Sequence, residues 1–189
     1  MKKNRIVILG CGESGIGSTL LALKKGYNIY VSDNGIIREK YKKILKINKI
    51  IWEENTHNRN KLIDADLVVE SPGISNNNNI IKFLIKNKIP VISEIEFAYK
   101  NTDAKLICIT GTNGKTTTSA LIYKILKDFG FNVGLAGNIG DSFAKKVANG
   151  NFDYYVLEIS SFQLDDIVDF KPDIAVITNI SNDHLDHYN

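Results

Sequence analysis

Cysteine is scarce in this sequence: of 189 residues only Cys11 and Cys108 are cysteines. One sits in a glycine-rich turn and the other inside an apolar run, so there is neither a disulfide framework nor the paired spacing of a metal-binding knuckle. A reducing, cytosolic setting fits that usage. Net charge is also slight, +3 from 24 basic and 21 acidic residues. The lysines are scattered among acids as solvated faces, which gives no reason to expect a nucleic-acid partner. No apolar stretch approaches membrane-spanning length, and the run Ile6 to Leu9 ends in glycines too early for a signal peptide, so no membrane insertion is expected. No internal repeat is visible, and the asparagine run Asn76 to Asn79 reads as a polar loop leading into a helix.

What is present is an ordinary globular composition, 43% apolar and 24% charged, with length enough for one domain or two small ones. Short β-branched runs at Arg5 to Leu9, Asn28 to Ser32, Asp66 to Glu70 and Pro90 to Ile92 predict strands, with helix-period segments between several of them. A second series follows at Lys105 to Thr110, Val133 to Ala136, Tyr154 to Glu158 and Ile174 to Thr178. That alternation implies parallel α/β sheets. The expected fold class is therefore α/β: a Rossmann-like parallel-sheet domain over residues 1–93, then a partial P-loop-type α/β domain over residues 94–189. The segment Ser14 to Lys25 is expected to cross over the first sheet with Ile16, Leu20 and Leu23 on its packed face, and Gly26 to stop it.

Gly10, Gly12 and Gly15 form a GxGxxG pattern directly after the first strand. Glycines there permit a tight turn and close backbone approach to a diphosphate, while the helix N-terminus favours an anion. With Asp33 at the end of the second strand on a ribose hydroxyl, the pattern suits a dinucleotide. Glu13 complicates that reading, because its carboxylate beside a diphosphate repels unless it points away. A ligand seated differently from NAD remains equally open.

The stronger pattern is Thr110, Gly111, Thr112, Asn113, Gly114, Lys115, Thr116, Thr117, behind the apolar strand Leu106 to Ile109. Small residues let backbone N–H groups curl round phosphate oxygens, Lys115 adds a point charge, and Thr116 can ligate Mg²⁺. The helix that follows, with Leu121, Ile122, Ile125 and Phe129 as its expected core face, aims its N-terminus at the same anion. The usual pattern has glycine where this chain has Ile109, so the loop is a shortened variant. The bland alternative is a threonine-rich helix cap. Glu158, ending the strand from Tyr154, is placed to ligate Mg²⁺ because parallel strand ends gather at one edge; its alternative is a solvated strand-end carboxylate. His184 lies in a loop between Asp183 and Asp186 and, taken singly, reads as structural or solvated.

Six segments in order, ILGCGESGIG, SPGIS from Ser71, TGTNGKTTT, GNIG from Gly137, LEISSFQL and TNISNDHLD, resemble the Mur ligase family of bacterial cell-wall synthesis across the whole chain. LEISSFQL combined with a Rossmann-like start is similar to the branch that adds D-glutamate. The resemblance implies an ATP- and Mg²⁺-dependent ligase that activates UDP-N-acetylmuramoyl-L-alanine as an acyl phosphate, which the amine of D-glutamate then attacks. It implies ATP binding by Gly111 to Thr117, with Lys115 stabilising the transferred phosphoryl group. Thr116 and Glu158 would hold one metal ion and His184 the second, with Lys115, Asn138 and His184 as the catalytic set. Asn138, Ser160 and Gln163 would position the muramoyl-alanine part, and Gly12, Glu13, Ser14, Asp33, Asn34, Ser71, Pro72 and Gly73 the UDP part. The family's central domain continues past the position of Asn189, and a third domain closes over ATP. The resemblance accordingly implies a chain that binds UDP but performs no ligation by itself, with an exposed sheet edge prone to aggregation, and a monomer when complete. Outside the family, the alternatives are an NAD-binding dehydrogenase or sensor domain fused to an NTPase, and a non-catalytic nucleotide-binding module.

Overall fold

The computed structural model describes residues 4–74 and 77–182. Its first sheet collects β1 (Arg5–Leu9), β2 (Asn28–Ser32), β3 (Ile51–Glu53), β4 (Leu67–Glu70) and β5 (Val91–Ser93). All pair in parallel in the order β3-β2-β1-β4-β5. The chain reverses direction across this sheet between β1 and β4, which is where open parallel sheets leave a crevice at their C-terminal edge. A second parallel sheet has the order β7-β8-β6-β9, from β6 (Lys105–Thr110), β7 (Val133–Gly137), β8 (Tyr154–Glu158) and β9 (Ile174–Ile177). Of these strands the sequence reading missed only β3, a three-residue edge strand around Trp52 that is too short to show a period.

The helices are α1 (Glu13–Lys24), α2 (Glu39–Ile47), α3 (Arg59–Leu62), α4 (Asn79–Lys86), α5 (Glu94–Tyr99), α6 (Lys115–Asp128), α7 (Phe143–Asn149) and α8 (Ser161–Asp165). Alternation along the strands sorts them into layers. In β1, Ile6 and Ile8 join one apolar cluster while Val7 and Leu9 face another, built with Leu62, Ile80, Ile81 and Leu84. In β6, Leu106 and Cys108 share the first cluster with Ile6 and Ile8, whereas Ile107 and Ile109 pack with Val133 and Val156 on the far face. One apolar layer thus lies between the two sheets, filled from Ile16 and Leu21 of α1, Ile95 and Phe97 of α5, and Phe143 and Ala144 of α7. Successive side chains point to opposite faces of a strand, so alternate residues of β1, β2, β6 and β8 feed this shared core.

The packing of α1 and α6 corrects two expectations. Ile16 of α1 is buried and Leu20 packs against the core, but Leu23 is 39% exposed. On α6 only Ile122 of the expected face packs against the sheet; it does so with Tyr123 and Leu126, beneath buried Ser119. Leu121, Ile125 and Phe129 lie outward, at 58%, 47% and 80% exposure. The packed stripe, 119-122-123-126, has true helical spacing, but it begins with a small polar residue, and bulk alone pointed to the wrong side. β9 is an edge strand whose Ile174 and Ile177 are exposed. Among the described residues no helix is long and apolar enough to cross a membrane.

Candidate active site

Two glycines show why the chain turns so tightly after β1. Gly10 has φ +83°, and a Cβ on Gly15 would stand 1.9 Å from the Gly10 carbonyl oxygen, so α1 can start against the strand only with glycine there. Asp33 secures the turn. One carboxylate oxygen accepts from the Cys11 N–H at 2.6 Å and the other from the Gly35 N–H at 2.7 Å. Burial, reinforced by Asp33, pushes the Cys11 thiol up to about 12, so it stays a neutral packing group.

Opposite this turn, Ser71, Pro72 and Gly73 follow β4, and from the second sheet the segment Gly137 to Ser142 and the start of α8 come forward. Together they enclose a cleft of about 520 Å³ lined by Gly12, Glu13, Ser14, Ser71, Asn138 and Gln163 among others. The fold therefore brings Gly12, Glu13, Ser14, Ser71, Pro72, Gly73, Asn138, Ser160 and Gln163 to one place. It does not bring Asp33 and Asn34 into that lining; Asp33 is engaged behind the turn and Asn34 is exposed. Ser160 and Gln163 cap α8 reciprocally, the Ser160 hydroxyl accepting from the Gln163 N–H and the Gln163 side chain from the Ser160 N–H at 3.0 Å.

The glycine-lysine-threonine loop between β6 and α6 is braced from β9. Thr178 Oγ1 donates to the Asn113 carbonyl at 2.6 Å, the Asn179 carbonyl accepts from the Thr112 N–H at 3.0 Å, and its side-chain oxygen accepts from the Asn113 N–H at 2.9 Å. Gly111, at φ +129°, allows this approach: a Cβ there would lie 2.3 Å from Thr178 Oγ1. Gly114 (φ +83°) then opens α6 without a side-chain cap, leaving the first N–H groups of the helix unclaimed by any capping side chain. Lys115 folds back over the loop, donating from Nζ to the carbonyls of Gly111 and Thr112 at 2.6 and 2.9 Å. Thr117 is exposed on the first turn.

Loop and cleft meet at Glu158. Its side chain is 3% exposed, which removes the solvated strand-end alternative. Oε2 accepts from Thr116 Oγ1 at 2.7 Å and Oε1 from Asn138 Nδ2 at 3.0 Å, while its backbone carbonyl accepts from the Asn138 N–H at 2.8 Å. Gly137 is needed for that last contact, since a Cβ would fall 2.2 Å from the Glu158 carbonyl oxygen. A hydroxyl and a carboxylate are hard oxygen donors, the set that suits Mg²⁺, an ion that keeps several waters and phosphate oxygens as its other ligands. No group of three or more His, Cys, Asp or Glu converges among the described residues; His184 lies outside them.

Reading single residues missed the surroundings of Glu13. Lys145, on α7, reaches across the interface to Glu13 Oε1 at 2.7 Å and to Asp141 at 2.8 Å, and the Tyr41 hydroxyl donates to Glu13 Oε2 at 3.1 Å. Gly17 permits the underlying helix contact, because a Cβ there would meet Ser142 Oγ at 2.1 Å. A lysine in an amphipathic helix carries no sequence signal for such a role.

A five-stranded parallel sheet with its crevice at a glycine turn, joined to a second parallel sheet bearing a P-loop-like strand–loop–helix, defines a two-sheet α/β protein. Residues 5–80 match the MurD N-terminal domain and residues 109–189 the Mur ligase middle domain; the chain belongs to the Mur ligase family. It is 56% identical over 184 residues to the UDP-N-acetylmuramoylalanine--D-glutamate ligase of Bacteroides fragilis, and 52% identical to that of Christiangramia forsetii. Each match takes in 97% of this chain and 41% of the relative, so the chain spans about 41% of the relatives' length. The fold is shared with the crystal structure of UDP-N-acetylmuramate:L-alanyl-gamma-D-glutamyl-meso-diaminopimelate ligase from Neisseria meningitides, with a TM-score of 0.67 at 20% identity over 99% of this chain and 64% of that one. An NAD-binding domain fused to an unrelated NTPase is not what these matches give, since both sheets belong to one family.

Proposed function

We propose that this chain carries the UDP-substrate site and the ATP site of a ligase that joins D-glutamate to UDP-N-acetylmuramoyl-L-alanine through an acyl phosphate. One observation carries the reading: the two oxygens of buried Glu158 are hydrogen-bonded by Thr116 of the phosphate-loop motif and by Asn138 of the cleft. A phosphoryl donor on the loop and a carboxylate acceptor in the cleft would thus sit either side of one fixed group, the arrangement a phosphoryl transfer between them requires. The N–H groups at the start of α6 and Lys115, once turned away from the Gly111 and Thr112 carbonyls, would hold the β- and γ-phosphates. Thr116 and Glu158 would hold Mg²⁺, which supplies neutralisation of crowded phosphate oxygens. Ser14, Ser71 and Gly73 would hold the UDP portion at the crevice of the first sheet, with Asn138 and the start of α8 orienting the acyl acceptor.

The test uses these residues within a ligase of the relatives' full length. Phosphate release should require ATP, Mg²⁺, UDP-N-acetylmuramoyl-L-alanine and D-glutamate together, and UDP should raise the melting temperature of the 189-residue chain where NAD leaves it unchanged. Turnover that proceeds equally well with another amino acid, or an NAD shift without a UDP shift, would remove the proposal.

A further inference from the structure

The cleft has an electrostatic peculiarity. Among the described residues that line it only one is charged, and that one is acidic: Glu13, on the first turn of α1. A nucleoside diphosphate brought to this turn would meet the positive end of the helix but also a carboxylate, and two like charges at close range repel. The carboxylate is not free. Lys145 Nζ lies 2.7 Å from Glu13 Oε1 and 2.8 Å from Asp141 Oδ1, and the Tyr41 hydroxyl donates to Glu13 Oε2. The other cation nearby, Lys146, stands 4.0 Å from Asp141 Oδ2. Both carboxylates hold the Lys145 ammonium above its ordinary value, Asp141 foremost, so it is charged throughout the physiological range.

Resting on the UDP reading of the cleft, we infer that Lys145 is a positioning residue for the anionic substrate: from the second sheet's α7 it neutralises and turns aside Glu13 on the first sheet's α1, making the glycine turn able to accept a diphosphate. The pair also crosses from one domain to the other, with Gly17 allowing α1 and α7 close enough for it to form. Acceptance of the diphosphate therefore depends on the two domains being docked as they are here. The pair is half-buried, and its effect falls on the charge of a neighbouring ligand.

The experiment is a set of NMR titrations of the chain with UDP and with uridine, which has the same base and ribose but no phosphate. Lys145→Met should weaken UDP about tenfold, the scale of one unscreened carboxylate beside a multiply charged ligand, and leave uridine within about twofold. Removing the opposing charge as well, in Glu13→Gln/Lys145→Met, should restore most of the UDP affinity. Lys146→Met, which changes net charge equally, should leave UDP within about twofold. Equal weakening of UDP and uridine by Lys145→Met, or no recovery in the double variant, overturns the inference while leaving the UDP site standing. Failure of the unaltered chain to bind UDP overturns the reading beneath it and the inference together. Thermal melting of each variant guards against misfolding: if Lys145→Met does not fold, Glu13→Gln alone decides, since it should bind UDP at least as tightly as the parent, and weaker binding overturns the inference.

Discussion

Thr116 and Asn138 meet through one carboxylate, donating to opposite oxygens of Glu158 at 2.7 and 3.0 Å although one sits in the first turn of α6 and the other in the loop after β7. The join is made where β8 ends between β6 and β7, and it makes the loop and the cleft one structural unit.

Glu158→Gln keeps the shape of that junction but removes its charge. In the whole protein, ATP-dependent phosphate release should fall by about 10²- to 10³-fold, the loss typical of one electrostatic group at a reacting centre, with UDP binding unchanged. Steady-state assays over a Mg²⁺ series check it; a variant whose rate stays within a few-fold of the parent at every concentration would show that Glu158 only braces the loop.

Lys115 at present closes the loop through two carbonyls. Lys115→Ala should reduce acyl-phosphate formation by at least a comparable factor, because charge developing on the transferred group loses its fixed cation. Affinity for the UDP substrate should stay within about twofold, since Lys115 does not line the cleft. Trapping of the acyl phosphate by single-turnover chemistry gives the readout.

Gly17 allows α1 to lie against the start of α7. In Gly17→Val, the added Cβ would fall 2.1 Å from Ser142 Oγ and 2.8 Å from the Lys145 amide nitrogen. One of these is backbone and cannot swing away, so a destabilisation of about 1–3 kcal/mol is expected by overpacking. Urea unfolding checks this, and a midpoint equal to the parent's would mean the helices slide apart without cost.

Glu94 opens α5 in the shared core, wholly buried, and accepts the Ala144 N–H at the head of α7. Burial pushes its carboxyl from 4.5 up to about 7. Between those values the folded state binds more protons than the unfolded one, so stability falls as pH rises from about 4.5 to about 7 and stays lower above. Glu94→Gln keeps the acceptor oxygen and has nothing to ionise. Its stability relative to the parent should rise from pH 5 to pH 8 by on the order of 1–3 kcal/mol. Paired unfolding curves at the two pH values measure the difference, which cancels the opposing contribution of His57, a half-buried ring pushed below its ordinary value. A difference independent of pH would show that Glu94 ionises as it does in water.

The sequence by itself determined the α/β class, eight of the nine described strands and the glycine-lysine-threonine loop. Each of those is written locally: a β-branched run declares a strand, and a glycine at a tight turn has few substitutes. The ordered motifs also marked Glu158, Asn138 and the Ser71 to Gly73 loop, which the fold brings around one cleft and one loop. Tertiary structure decided what pattern could not reach. Whether Leu121 or Ser119 of α6 faces the sheet depends on the angle at which Gly114 launches the helix against β6. That Asp33 holds the Cys11 and Gly35 amides, while Glu13 finds Lys145 across 132 residues, depends on how two sheets share one apolar layer. Local periodicity encodes which residues want burial, but which partners a charged side chain meets is set by the docking of whole elements, and the chain carries no short-range record of that.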